Sequence, residues 1–257
     1  MTRQGFNWRE FLLLSIAGVV GVVLMIPYSL TLQAPKLKEL SIPLQRLILI
    51  QVVQNAIFIA IAVGVGLLLA QRTGLGAPLL EAWLSGERIG QRLKAIVLPA
   101  VILGAMVALV VIIFDALIFA SRVPKILTQS PQIPAWQGFL ASFYGGITEE
   151  LFMRLGLFSL LVCLLTKIRG MAQGLPSPMI LWTANILIAL LFGLGHLPAT
   201  AALVPLTPLV VIRAVALNGP ASLVFGYLYW TRGLEAAMLA HFTADVVLHA
   251  IMPLLGL

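Results

Sequence analysis

Apolar residues fill the chain in long runs, and short polar segments separate them at fairly even intervals. A helix needs about 20 residues to cross the roughly 30 Å hydrocarbon core of a bilayer. Seven runs reach that length: residues 11–32, 47–70, 95–120, 138–166, 178–197, 207–230 and 234–254. The pattern predicts an all-α fold, a polytopic transmembrane helix bundle of about seven spans, bounded between six and eight. Pro205, Pro208 and the Gly219-Pro220 pair are candidate breaks in the sixth run, because proline removes a helical N–H and clashes with the preceding turn. Residues 78–94 mix leucines, an isoleucine and Trp83 with Glu81, Glu87, Arg88 and Arg92, as either an interfacial amphipathic helix or a loop does. Residues 121–137, with three prolines, are expected to be an irregular connector.

Composition agrees with this reading. Of 257 residues 61% are hydrophobic and 10% charged, and the mean hydropathy of +1.07 lies outside the range of soluble globular domains. The first run follows Arg3 and Arg9, as a signal peptide would. It exceeds a typical h-region and no small-x-small cleavage site follows, so it is read as a retained helix. The connecting segments are short, which makes residues 1–257 one integral membrane domain.

Charge adds orientation and excludes one partner class. On these spans Arg3, Arg9, Arg72, Arg88, Arg92, Lys94, Lys167 and Arg169 share one side, against Lys36, Lys38, Arg46, Arg122 and Lys125 on the other. That bias predicts a cytoplasmic N-terminus. The net charge of +7 is scattered over loops with no stacking aromatics among the basic residues. It suits anionic lipid and not nucleic acid. The single cysteine, Cys163, excludes an intramolecular disulfide framework and a CxxC metal site.

An ionisable side chain at membrane depth costs on the order of 2.5–3.5 kcal/mol on insertion scales, so each is a candidate for function. Those within the spans are Asp115, Glu149, Glu150, Arg154, His196, Arg213, His241, Asp245 and His249. Asp115 lies near the end of its run and Arg213 is expected to snorkel to an interface. Glu150 and Arg154, at i and i+4 with the acid first, face each other on a helix. Glu149 is turned about 100° away and must find its partner on another helix. His196 closes the fifth run, with Phe192 one turn back to brace its ring. His241 and Asp245, also i and i+4, project together from the last helix. His249 falls about 80° off that stripe in regular α geometry. Asn185, about three turns before His196, is expected to tie two helices by a hydrogen bond.

A carboxylate, a histidine on a second helix and a His plus Asp on a third suit hydrolysis. A glutamate shielded from water is a stronger general base, a histidine can hold the water, and a second can donate to an oxyanion. The same groups also serve as interhelical hydrogen-bond ties, and spacing does not separate the two. Zinc binding by Glu149, His196, His241 and Asp245 is a further option, although HExxH is absent. So is GxGD, and no serine lies in a nucleophile motif. A proton or ion pathway would also keep acids and histidines at this depth.

Glu149-Glu150-x-x-x-Arg154, Phe192-x-x-x-His196 and His241-x-x-x-Asp245 resemble, in order, the three motifs of the CPBP family of CAAX proteases and bacteriocin-processing enzymes. The run from Phe225 to Asp245 is also similar to the family's approach to its last motif, and the likeness covers a protease-like core at 136–252. The resemblance implies an intramembrane endopeptidase of the glutamate type, without a cofactor, in a bacterial inner (cell) membrane. Its substrate is a peptide or membrane protein, lipid-modified in the CAAX case. It makes Glu149 the general base, His196 its water-binding partner, and His241 with residue 245 the oxyanion site, supported by Glu150, Arg154 and Phe192. A non-catalytic scaffold or immunity role is also compatible with it. Many members carry Asn where this chain has Asp245. An ionised carboxylate cannot donate to an oxyanion, so Asp245 is expected to be neutral, to orient His241 or to ligate a metal.

Overall fold

A computed structural model describes residues 6–37, 42–127, 133–169 and 175–256. Arg3 and Lys38 of the charge count, and residues 128–132 of the connector, lie outside them. The described residues are mostly helical, with no strand, and seven helices are long and apolar enough to span a membrane. They are α1 (Trp8–Leu32), α2 (Leu44–Thr73), α4 (Gly90–Phe119), α5 (Ala135–Ile168), α6 (Pro178–Ala201), α7 (Pro208–Arg232) and α8 (Leu234–Leu254), with a short α3 (Pro78–Leu84) between α2 and α4. The chain is a multi-pass membrane protein. The amphipathic stretch is thus helical over Pro78–Leu84 and again from Gly90, where α4 begins, with a break between.

The sixth run does not divide. Thr207 caps α7 by accepting from the Val210 N–H at 3.4 Å, and Pro208 takes the first helical position, where its missing N–H costs nothing. Pro208 therefore starts the helix, and α7 continues through Pro220 to Arg232. Proline inside a membrane helix is tolerated when neighbouring helices resatisfy the freed backbone. Gly233, with φ of 98°, then turns the chain directly into α8.

Small residues set how closely the helices approach, as expected where the apolar surroundings provide no hydrophobic drive for association. α5 is the hub. Gly21 of α1 lies against Thr148 and the Phe143 carbonyl, and the Thr148 hydroxyl donates to the Gly18 carbonyl at 2.8 Å. Gly66 of α2 lies on the Leu155 backbone, and Gly145 and Gly146 bring α8 onto the other side of α5. Phe158 meets Tyr229 of α7 edge-on at 5.6 Å. α4 covers α8 through Gly104 on the Ala240 carbonyl. α6 packs on α7, where Asn185 donates to the Leu223 carbonyl at 2.9 Å opposite Gly226. Large apolar side chains of α2 and α4, such as Phe58, Ile61, Met106 and Leu109, point outward as a lipid-facing surface should.

Regular α geometry is interrupted where the charges are. α5 widens into π-helical turns over Tyr144–Glu149 and Leu151–Phe158, α4 does so over Asp115–Phe119 and α8 over Val247–Ile251. Such turns, bonded i to i+5, recur at functional sites.

Candidate active site

Arg154 and Glu150 are both completely buried, and Arg154 Nε donates to Glu150 Oε2 at 3.0 Å. Arg154 also donates through Nη2 to Ser222 Oγ of α7 at 3.0 Å, and its guanidinium lies 5.9 Å from the centre of the Phe192 ring. A charge pair sunk this deep is tolerable only when both ions are otherwise hydrogen-bonded. Glu150 meets that condition through its second oxygen, Oε1, which accepts from His241 Nδ1 at 2.8 Å.

That contact sets the state of the imidazole. A carboxylate paired with arginine only accepts, so His241 Nδ1 carries the proton and Nε2 faces the interior of the site. The Phe225 ring stacks on His241 at 4.5 Å with 18° between planes, and Phe192 stands at its edge, 5.7 Å away. Around Nε2 are Glu149 Oε2 at 3.8 Å and Asp245 Oδ1 at 3.7 Å. The hydrogen bond that orients His241 is therefore accepted by Glu150 and not by Asp245.

His196 ends the regular part of α6. Its Nδ1 lies 2.8 Å from the Phe192 carbonyl oxygen, which can only accept, so the proton is on Nδ1 and Nε2 is left with a lone pair. The Phe192 ring meets it at 4.8 Å, nearly perpendicular. His196, His241, Asp245 and Glu150 are all within electrostatic range of Glu149. Among the described residues nothing donates a hydrogen bond to Glu149, whose side chain is 24% exposed, whereas Glu150 is sealed. Two neighbouring glutamates thus have opposite circumstances.

The structure brings Glu149, Glu150, Arg154, Phe192, His196, His241 and Asp245 together between α5, α6, α7 and α8. Gly145, which sequence spacing does not single out, belongs with them: a Cβ there would collide with Asp245 Oδ2 and stand 3.2 Å from His241 Nε2. Its signal is the Gly145-Gly146 pair one turn before the glutamates. Ser222 is equally invisible to motif reading, and Phe225 enters it only as the first residue of the run to Asp245. Asp115 and Arg213 lie apart, and the isolated roles expected for them are corrected. Arg213 does not snorkel; it grips Asp115 through Nε and Nη2 at 2.7 and 2.6 Å and the Leu127 carbonyl at 3.0 Å, joining α4, α7 and the connector. His249 meets Tyr28 of α1, ring centres 5.8 Å apart. No group of three or more His, Cys, Asp or Glu among the described residues is placed to hold a metal ion.

Residues 131–247, somewhat under half of the chain, match the description type II CAAX prenyl endopeptidase Rce1-like. The matched segment carries all of the site residues named above. No curated protein and no solved structure matches the chain.

Proposed function

We propose, from the premise that the chain carries an Rce1-like domain of the CPBP intramembrane protease family over residues 131–247, that it is a glutamate-dependent intramembrane endopeptidase. One observation carries this reading. Glu149 has no hydrogen-bond donor among the described residues, is the most open of the clustered acids, and lies within electrostatic range of two histidines whose Nδ1 protons are already committed.

The chemistry follows from those tautomers. A water in the opening donates one hydrogen to Glu149 and the other to His196 Nε2, which aims an oxygen lone pair at a substrate carbonyl. Glu149 takes the proton as the C–O bond forms. The oxyanion accepts from His241 Nε2–H, the ring acting as imidazolium, and from Asp245 as a neutral carboxyl group. Collapse breaks the C–N bond, and the proton on Glu149 passes to the leaving amine. Glu150 and Arg154 hold His241 at its angle without touching substrate, as carboxylates behind a catalytic histidine do. The substrate class is a peptide at or within the membrane: a lipid-modified CAAX-type protein, a leader peptide or a membrane-protein segment.

The test is cleavage of a quenched fluorescent CAAX-type peptide and a small membrane-protein panel by purified protein in detergent. Wild type is compared with Glu149→Gln and His196→Ala, each with and without a strong chelator. Cleavage lost in both variants and indifferent to chelator is expected. Cleavage that chelator abolishes and zinc restores overturns the metal-free mechanism, and cleavage retained by Glu149→Gln overturns the role of Glu149.

A further inference from the structure

His249 is the one histidine that the hydrolytic site does not use. In regular α geometry it falls about 80° off the stripe of His241 and Asp245, but α8 widens over Val247–Ile251. A wider turn advances fewer degrees per residue, which swings His249 back toward that stripe. The ring then lies edge-on to Tyr28 at 5.8 Å, while Tyr28 is within electrostatic range of Asp245, one turn deeper on α8. Gly138 brings α5 onto the His249 backbone carbonyl, where a side chain would collide. The adjacent Gln137 has a buried Oε1 with no hydrogen-bond partner among the described residues. Among the described residues neither the Tyr28 hydroxyl nor the His249 ring forms a hydrogen bond, and both side chains are half-buried.

Three polar groups at the same end of α1, α5 and α8 thus lack hydrogen-bond partners among the described residues, in largely apolar helices. Polar groups at this depth face protein or a water-filled cavity, and orphaned acceptors of this kind are where buried waters bind. We propose that Tyr28, Gln137 and His249 line a water path that enters where α1 and α8 end and reaches the site at Asp245. The inference rests on the hydrolytic reading, since each turnover consumes one water that the apolar flanks of the bundle do not admit.

Thiol accessibility tests the path independently of cleavage. In a Cys163→Ala background, single cysteines at Tyr28, at His249 and at the lipid-facing Leu109 of α4 are exposed to a charged methanethiosulfonate in liposomes. Labelling at 28 and 249 at least about ten times faster than at 109 is expected, because only hydrated thiols form the reactive thiolate. Equal, slow labelling at all three overturns the path even if the enzyme is active. In cleavage assays His249→Phe, which plugs the path, is expected to lower kcat about tenfold with KM unchanged, and His249→Gln to retain turnover. Tyr28→Phe, which removes one oxygen, should give a smaller fall of the same kind. Full turnover in His249→Phe despite fast labelling overturns a role in water supply. If wild type cleaves nothing, the hydrolytic reading fails, and fast labelling still upholds the path.

Discussion

His241 donates a hydrogen bond from Nδ1 to Glu150, 91 positions away in sequence, and turns Nε2 toward Glu149. Adjacent glutamates on one helix therefore act on the same imidazole from opposite ends. One fixes it and the other shares the open side of the site with it.

This division separates stability from activity. Glu150→Gln leaves the buried Arg154 charge without its counter-ion and is expected to destabilise the protein by about 3–5 kcal/mol. Glu149→Gln should leave stability within about 1 kcal/mol of wild type while lowering turnover about 10²- to 10⁴-fold. Thermal unfolding in detergent alongside cleavage rates measures both. Equal destabilisation by the two would mean that Glu149 is a structural tie.

Gly145→Ala places a methyl group where Asp245 Oδ2 now lies. Overpacking of this kind costs about 1–3 kcal/mol, and displacing the carboxyl group from His241 is expected to slow cleavage with little change in KM. Wild-type kinetics in this variant would show that Asp245 need not stand where it does.

Asp245→Asn keeps the shape of the side chain and supplies an amide donor in place of a carboxyl group. Turnover within about tenfold of wild type is expected. Near-complete loss would reveal a step that needs the acid itself, such as metal ligation or proton transfer.

The Asp115–Arg213 clasp lies outside the site. Since its side chains are 20% and 17% exposed, respectively, and partly screened, Asp115→Asn is expected to cost only about 1–3 kcal/mol. The folded fraction should cleave normally. A fall in kcat per folded molecule would tie the connector it anchors to catalysis.

Much of this architecture was legible from spacing. The seven apolar runs coincide with the spans to within a few residues, because length and hydropathy alone decide whether a helix can cross a bilayer. The facing of Glu150 and Arg154 follows from helical periodicity in the same way. What spacing withheld was everything that depends on how one helix is rotated against the next. It could not show that His241 would choose Glu150, or that Asp115 and Arg213, 98 positions apart, would find each other. Pro220 looked like a break because proline rules come from helices in water, and in this bundle the helix is held by its neighbours. The widened turns have no compositional mark, which is why His249 was placed off the stripe.

The wide turn over Tyr144–Glu149 also makes the site a matter of register. A widened turn holds about one residue more than a regular one and so absorbs that residue without rotating the helix beyond it. Wound as ordinary helix with all its residues kept, it would rotate every side chain beyond it by about 100° relative to α1 and α8. The helix would be as apolar as before and would still cross the membrane. Yet Glu149 would face where Glu150 had faced, and Arg154 would swing away from Ser222. In this chain the facing of the clustered side chains depends on one widened turn.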